Sequence, residues 1–381
     1  MLSIRVITGL PCIYFSSLKR YNYNTLLFFL VNFLKQKYIK YHCVRKIMTD
    51  LSHRYSRHTV LKEIGDEGQR KISESKVAIL GQGALGTVMT EGLARSGVGE
   101  IVIADRDFVE LSNLQRQALF DENDIGKAKA EVAAEKLKKI NSDIKINSHV
   151  LDINTKNIEK LIDGSDLVMD ASDNMKLRFL INDACIKHDI PWIYSAVLGT
   201  YGMTMNITYE GAPCLRCLIP EQPNSESMGT CASEGVLFSL PRVIANIAAT
   251  EAIKFIVGRE NRKELLTVDI WRNEFDFTKV RKKDDCDCCV NKDFRYLEGK
   301  DDETVELCGR DAIQIIPSDK DKVDLDSLVK RYRDAKKIGQ HLVRLNVEGY
   351  ELNIFKDGRI IVKGTEDVNK AKSLYSEYIG R

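Results

Sequence analysis

The stretch Lys76-Val-Ala-Ile-Leu-Gly-Gln-Gly-Ala-Leu-Gly86 decides the fold. Val77 to Leu80 is an unbroken apolar run, as a strand buried on both faces requires. Gly81, Gly83 and Gly86 follow with the spacing G-x-G-x-x-G, and a helical pattern then carries Val88, Leu93 and Ala94. Strand, glycine turn and helix form the first half of a nucleotide-binding βαβ unit. The glycines permit a tight turn and close backbone approach, and the helix N-terminus attracts phosphate. The spacing alone is a weak signal. It gains weight from a second apolar strand, Ile101-Val-Ile-Ala104, which ends in Asp105, nineteen residues past Gly86. A carboxylate at that place suits a ribose hydroxyl.

Outward from this unit the chain keeps alternating. Helix 127–140, strand 144–150, helix 155–162, strand 167–170, helix 174–188 and strand 192–197 follow in turn. Such βα alternation predicts a parallel sheet with right-handed crossovers. Residues 202–209 alternate and predict an antiparallel extension, and 241–257 reads as an apolar helix. Upstream, residues 54–75 predict an amphipathic helix with Val60, Leu61 and Ile64 on one side. Residues 220–234, rich in Pro, Ser, Glu and Gly, read as a mobile loop. The expected fold is α/β: a doubly wound, Rossmann-like, mostly parallel sheet with an antiparallel extension, followed by a small C-terminal α+β module. In the module, 312–316 reads as a strand and 324–336 as a helix. Strands 350–355 and 359–362 form a hairpin around Lys356-Asp-Gly358. Val368, Ala371, Leu374, Tyr375 and Tyr378 make a helical core stripe.

The chain has 381 residues, room for two domains, and a net charge of +2 that is unevenly spread. Residues 1–47 hold eight Lys or Arg and no Asp or Glu, which leaves 49 basic against 55 acidic residues in the remainder. A mildly acidic body argues against general nucleic-acid binding. Residues 1–47 contain no apolar run long enough for a bilayer, and are expected to be a mis-assigned or disordered extension, with the true start at Met48 and ordered, charge-mixed sequence from Asp50. The main α/β domain is expected over 48–290 and the C-terminal module over 304–381. Without a membrane anchor, the expected location is the cytoplasm.

The polar residues that carry chemistry cluster after the strands. Asp105 is followed by Asp107 and by Ser112-Asn-Leu-Gln-Arg116, Lys129 lies in Gly126-Lys-Ala-Lys129, and the fourth strand ends in Asp170-Ala-Ser-Asp-Asn174. Ligands of open α/β sheets bind at the carboxyl ends of the strands. One Arg, one Lys and two or three carboxylates suit a triphosphate with its magnesium ion. A nicotinamide dehydrogenase would use the glycine turn and Asp105 but leave Arg116, Lys129 and Asp173 without a purpose.

Together with Arg54-Tyr-Ser-Arg-His58, these motifs resemble the ThiF/MoeB/HesA family, relatives of the ubiquitin-activating enzymes, over about residues 52–290. The resemblance implies ATP and magnesium, a homodimer, and adenylation of the C-terminal Gly-Gly carboxylate of a ubiquitin-like sulfur carrier. A persulfide donor would then supply sulfur, for thiamin, molybdopterin or tRNA thiolation. It further implies that Gly81, Gly83, Ala84 and Gly86 approach the phosphates and that Asp105 holds ribose. Ser112, Asn113, Arg116 and Lys129 would hold phosphate, Asp173 magnesium with Asn174 beside it, and Arg57 would reach ATP across the dimer. Cys231, in Gly229-Thr-Cys-Ala-Ser233, stands where relatives have a cysteine able to bond covalently to the carrier. A related enzyme acting on tRNA threonylcarbamoyladenosine is the alternative within the fold.

Ten cysteines are clustered, not spread as a disulfide framework. Cys214-Leu-Arg-Cys217 and Cys286-Asp-Cys-Cys289 are two C-x-x-C pairs separated by 68 residues, which suits a closed structural zinc site. Cys288 offers a competing thiol, but the spacing selects Cys286. The two pairs speak against the tRNA-modifying alternative. The C-terminal module has one cysteine, Cys308, without a recognisable sulfur-transfer loop, so its expected role is recognition of a partner or stability.

Overall fold

The computed structural model describes residues 53–208, 211–223, 234–299, 306–307, 312–315, 323–338, 342–356, 358–365 and 367–379. Residues 1–47, most of the loop expected to be mobile, Cys231 and Cys308 lie outside them. The chain divides into two units, residues 1–57 and 58–381. In the first, the described residues enter the short helix Ser56–Thr59, where Arg57 is exposed.

Eight strands form the main sheet of the second unit: β1 (Lys76–Leu80), β2 (Glu100–Asp105), β3 (Lys145–Val150), β4 (Leu167–Asp170), β5 (Trp192–Leu198), β6 (Tyr201–Ile207), β7 (Leu265–Asp269) and β8 (Glu274–Thr278). Their order is β3-β2-β1-β4-β5-β6-β7-β8. The first five run parallel and the last three antiparallel. Side chains alternate across each strand, so each strand feeds two cores. Val77, Ile79, Ile101 and Ile103 face Met89, Leu93, Leu137, Ile244 and Ala248 of the helices Gly86–Ser96, Lys129–Ile140 and Ser239–Ile256. Ala78, Leu80, Val102 and Ala104 face Ile158, Leu161, Leu180 and Ala184 of Ile158–Ile162 and Met175–Lys187. Helices on both faces make the sheet doubly wound, as its unbroken apolar strands imply. No helix among the described residues is long and apolar enough to cross a membrane.

The helix expected over 324–336 ends at Arg331, and Lys336–Ile338 is a strand. Two further points differ. Val60 and Leu61 do not lie on the buried side of a helix; they are 73% and 46% exposed. Residues 60–64 close tight turns instead, with Ile64 N bonded to Leu61 O, and Gly65 takes φ +63° before the helix Gly65–Glu74 begins. The hairpin of β7 and β8 was not foreseen. Every residue of β8 is exposed, including Phe275 and Phe277, and its turn uses Asn273 at φ +58° in place of a glycine.

A second, antiparallel sheet has the order β11-β12-β13-β14-β10-β9, from β9 (Glu306–Leu307), β10 (Ala312–Ile315), β11 (Lys336–Ile338), β12 (Leu342–Val347), β13 (Tyr350–Phe355) and β14 (Ile360–Lys363). One face packs on the helices Leu325–Arg331 and Val368–Tyr378 through Val343, Leu352, Ile354, Ala371 and Leu374. The other carries Leu342, Phe355 and Ile361, which meet Phe108 of the main domain.

Glu251, buried in the helix Ser239–Ile256, ties that helix to the antiparallel extension. Its Oε2 accepts from Asn206 Nδ2 at 2.7 Å, Arg262 N at 2.8 Å and Asn261 Nδ2 at 3.0 Å. Desolvation works to raise its pKa, but the Lys254 ammonium and these donors outweigh it and hold the carboxyl below the ordinary 4.5. Glu251→Ala should therefore cost about 1–3 kcal/mol in denaturant unfolding at neutral pH, because it strands buried donors. A carboxyl depressed in the folded state stabilises above its unfolded pKa and loses that contribution as pH falls through the folded value. The difference between wild type and variant should thus shrink below pH 4.5.

Candidate active site and cysteine cluster

The strand order reverses between β1 and β4, so the crevice that receives ligands opens at their carboxyl ends. There the glycine turn meets the segment after β4. Gly81 takes φ +104°, and a Cβ on it would stand 2.5 Å from Ala171 O. A Cβ on Gly86 would stand 2.1 Å from Gly81 O. Both glycines are dictated by backbone packing. Gly83 is different: the nearest atom to a Cβ there is Gln117 Nε2 at 4.0 Å. Among the described residues no atom demands a glycine at 83, which fits a position reserved for a ligand's approach. Thr87 Oγ1 donates to Gly83 O at 2.8 Å and fixes the turn, and no side chain caps the helix Gly86–Ser96. Ala84 is half-buried in this turn.

Asp105 braces the turn from β2. Its carboxylate accepts from Gln82 N and Asp107 N, each at 2.6 Å. Desolvation raises its pKa, opposed by the Lys129 charge and reinforced by Asp107. The segment from 106 to 129 leaves β2 and returns to its own root: Val109 N bonds Lys127 O at 2.9 Å, Gly126 N bonds Val109 O at 2.8 Å, and Lys129 N bonds Asp107 O at 2.9 Å. This closure seats Lys129, only 3% exposed, with Nζ 3.1 Å from Asp107 Oδ2. Within the segment, buried Asn113 and Glu110 cap a 3-10 turn reciprocally, and Arg116 Nη1 donates to Ser112 O at 2.9 Å. Ser112 is exposed.

On the β4 side, Asp170 is fully buried and accepts from Ser172 N at 2.9 Å and Ser172 Oγ at 2.6 Å, with Arg178 Nε 3.6 Å from its other oxygen. Burial pushes its pKa up against the pull of Arg178. This anchor leaves Asp173 and Asn174 exposed, with Asn174 Oδ1 capping the helix Met175–Lys187 through Leu177 N at 2.8 Å. Arg106 ties the end of β2 to the segment after β3. Its Nη1 lies 2.7 Å from Asp152 Oδ1, and although desolvation works to lower its pKa, Asp152, Asp107 and Asp173 raise it.

Away from this crevice, the sulfurs of Cys214, Cys217, Cys286 and Cys289 all lie within 4.8 Å of one another. Cys214 Sγ is 3.6 Å from Cys286 Sγ, and Cys217 Sγ is 3.6 Å from Cys289 Sγ. Those separations exceed a disulfide bond of about 2.05 Å. They match the roughly 3.8 Å edge of a tetrahedron built on zinc–sulfur bonds of about 2.3 Å. The cluster can therefore hold a metal ion. Cys288 packs beside this cluster but is not one of the four; its Sγ accepts from Asn182 Nδ2 at 3.1 Å. A hydrogen bond to Cys214 and then burial push the Cys217 thiol up to about 12, and burial first, then the neighbouring thiols, push Cys289 up to about 11.

The sequence profile of the ThiF family matches residues 55–290. The chain belongs to the ThiF family. Over 338 residues it is 37% identical to the sulfur carrier protein ThiS adenylyltransferase of Bacillus subtilis (strain 168), covering 87% of this chain and all of that protein. It is 38% identical over 257 residues to the SAMP-activating enzyme E1 of Haloferax volcanii, covering 67% of this chain and 94% of that one. Among solved structures, Escherichia coli MccB with ATP has a TM-score of 0.53 and 26% identity, covering 58% of this chain and 68% of MccB.

In this ThiF-family chain the crevice brings together the glycine turn, Asp105, Lys129 and the Asp173 segment. Asn113 and Arg116 lie on the segment that Lys129 closes. Arg57 belongs to the other unit, and Cys231 lies outside the described residues. Sequence reasoning missed the Arg106–Asp152 pair, whose partners stand 46 residues apart with no motif between them, and the Asp107–Lys129 pair. It also missed Arg178 as the counter-charge of Asp170.

Two outcomes follow from the geometry. Gly86→Ala should lower the thermal midpoint, since overpacking against backbone costs about 1–3 kcal/mol. Gly83→Ala should leave the midpoint unchanged and weaken nucleotide binding, as read by calorimetric titration with ATP. For the cysteines, elemental analysis should find metal lost in Cys214→Ser and Cys289→Ser and retained in Cys288→Ser. Bound metal should be released as pH falls, because each ligand must shed a proton to coordinate.

Proposed function

We propose that this protein is an ATP-dependent adenylyltransferase acting on the C-terminal glycine of a ubiquitin-like sulfur carrier protein. The observation that carries the reading is Gly83, a turn glycine that no atom of the described residues requires, set in one crevice with Lys129 and Asp173. The printed names of the relatives agree: one adenylates ThiS and another activates SAMP.

In the proposed reaction an oxygen of the carrier's terminal carboxylate attacks the α-phosphorus of ATP. The bond from that phosphorus to the bridging oxygen breaks, and pyrophosphate leaves with the electron pair. The products are a carrier acyl adenylate and pyrophosphate. No general base is needed, because a carboxylate is ionised near neutral pH. The chain's own residues act by position and charge. The turn amides around Gly81, Gly83, Ala84 and Gly86 receive phosphate, and Asp105 receives ribose. Ser112, Asn113, Arg116 and Lys129 stabilise the charge that moves onto the leaving pyrophosphate. Magnesium, held at Asp173 with Asn174 beside it, would neutralise phosphate charge when bound.

Zinc in the four-cysteine site would be structural, since four protein ligands leave no open position. The homodimer, the reach of Arg57 into the nucleotide site of a second copy, and a separate persulfide donor belong to the same proposal. So does capture of the activated carrier by Cys231: its thiolate attacks the acyl carbon, AMP leaves and a thioester forms.

The test is pyrophosphate exchange into ATP, dependent on a ubiquitin-like carrier ending in Gly-Gly. Arg116→Ala, Lys129→Ala and Asp173→Ala should each lower exchange by on the order of 100-fold, the scale of losing one charge-stabilising group. Thermal midpoints should stay close to wild type for Arg116 and Asp173, whose side chains reach solvent. Full exchange in all three variants would refute the reading. Cys231→Ala should leave exchange intact, because displacing pyrophosphate involves no thiol, while abolishing any covalent carrier adduct seen by mass spectrometry.

A further inference from the structure

The C-terminal module presents two faces, and its own helices cover one of them. The other meets the main domain, and the contacts fall on a single segment. Arg359, 2% exposed, lies over the Phe355 ring at 3.7 Å and donates from Nη2 to Arg106 O at 3.3 Å. Lys363 Nζ pairs with Glu110 Oε1 at 3.2 Å. The Phe355 ring stands 5.4 Å from that of Phe108. Ile338 covers Gly126 so closely that a Cβ there would stand 3.2 Å from its Cγ2. Arg106, Phe108, Glu110 and Gly126 all belong to the segment that closes on Lys129.

We infer that the C-terminal module is a positioning element of the nucleotide site, with Arg359 and Lys363 as its positioning residues. The inference rests on the adenylation reading above. Each anchor lies one step from a residue assigned to the nucleotide. Arg359 holds the carbonyl of Arg106, whose guanidinium pairs with Asp152, and the next residue, Asp107, carries Lys129. Lys363 holds Glu110, which shares the reciprocal cap with Asn113. Within the module Arg359 donates from Nη1 to Gln314 Oε1 at 3.4 Å and stacks on Phe355, and its Nη2 bond to Arg106 O carries the same guanidinium across to the root of this loop. Burying a charged group is costly unless it is bonded, and the bond here fixes the loop's root. The pair at Lys363 is about one-third exposed on each side and is correspondingly weaker. The match to the Bacillus subtilis enzyme covers 87% of this chain, more than residues 1–290 together supply, so that relative shares at least part of the C-terminal sequence.

The test uses the full chain and titrates ATP calorimetrically in the absence of carrier, followed by carrier-dependent pyrophosphate exchange. Arg359→Ala should weaken ATP binding about ten-fold, the scale of one charge-assisted hydrogen bond lost at a preformed site. Arg359→Lys should recover most of that loss. Lys363→Gln should weaken ATP binding about three-fold, and Lys363→Arg should bind as wild type does. In exchange assays KM for ATP should rise while KM for the carrier stays fixed, a split that general loss of stability would not produce. If Arg359→Ala does not fold, Lys363→Gln with Lys363→Arg decides alone. Folded Arg359→Ala and Lys363→Gln proteins that bind ATP as tightly as wild type would overturn the inference and leave the adenylation reading standing. Wild-type protein that binds no ATP would overturn both.

Discussion

Two backbone contacts without room for a methyl group govern this structure: Gly81 against Ala171 O, and Gly86 against Gly81 O. They draw β1, the helix behind it and the turn after β4 together at the point where the strand order reverses. From that crossing the rest is placed. Asp105 can brace the turn only because Gln82 N lies within 2.6 Å of its carboxylate, and Asp107, bound to the same carboxylate, starts the segment that brings Lys129 home. The crevice is therefore built from backbone first, with charged side chains fitted to it.

The depth at which each feature is written in the sequence follows from the range of the interaction. The runs Val77–Leu80 and Ile101–Ala104 announce buried parallel strands because burial on both faces demands consecutive apolar residues. The C-x-x-C pairs announce their cluster because coordination fixes ligand spacing locally. The pairing of Lys129 with Asp107 depends on a loop folding back on its own root, and that of Arg106 with Asp152 on two strands lying side by side. Neither leaves a local pattern. Val60 and Leu61 misled for the opposite reason: their spacing is helical, but Gly65 at φ +63° interrupts the chain before a helix can carry them inward. Strand β8 alternates Glu274 and Asp276 with Phe275 and Phe277, but all five of its residues are exposed, so the alternation marks no buried face.

The cysteine cluster supplies the long-range tie that the sheet does not. Residues 214–217 follow β6, and residues 286–289 follow β8, the last strand of the main sheet. Around the sulfurs, Arg216 donates to Asp293 O at 2.7 Å and approaches Asp287 at 3.1 Å, and Leu215 N donates to Asn182 Oδ1 at 2.9 Å. The polar frame thus reaches from the helix Met175–Lys187 to the chain leaving the sheet, and the sulfurs sit at its centre. The helix that Asn174 caps, beside Asp173, is the same one that this frame grips through Asn182.

Strand β8 has a consequence for how the molecule behaves in a crowd. It forms one rim of the main sheet, and among the described residues no further strand pairs with its outer side. A row of open backbone groups is a template on which another chain can crystallise a strand of its own. Glu274 and Asp276 alternate with Phe275 and Phe277 along the rim, and Arg281, Lys282 and Lys283 follow closely behind. An incoming copy in antiparallel register would set acid near acid. Like charges set against one another in this way disfavour edge-to-edge pairing of two copies along β8.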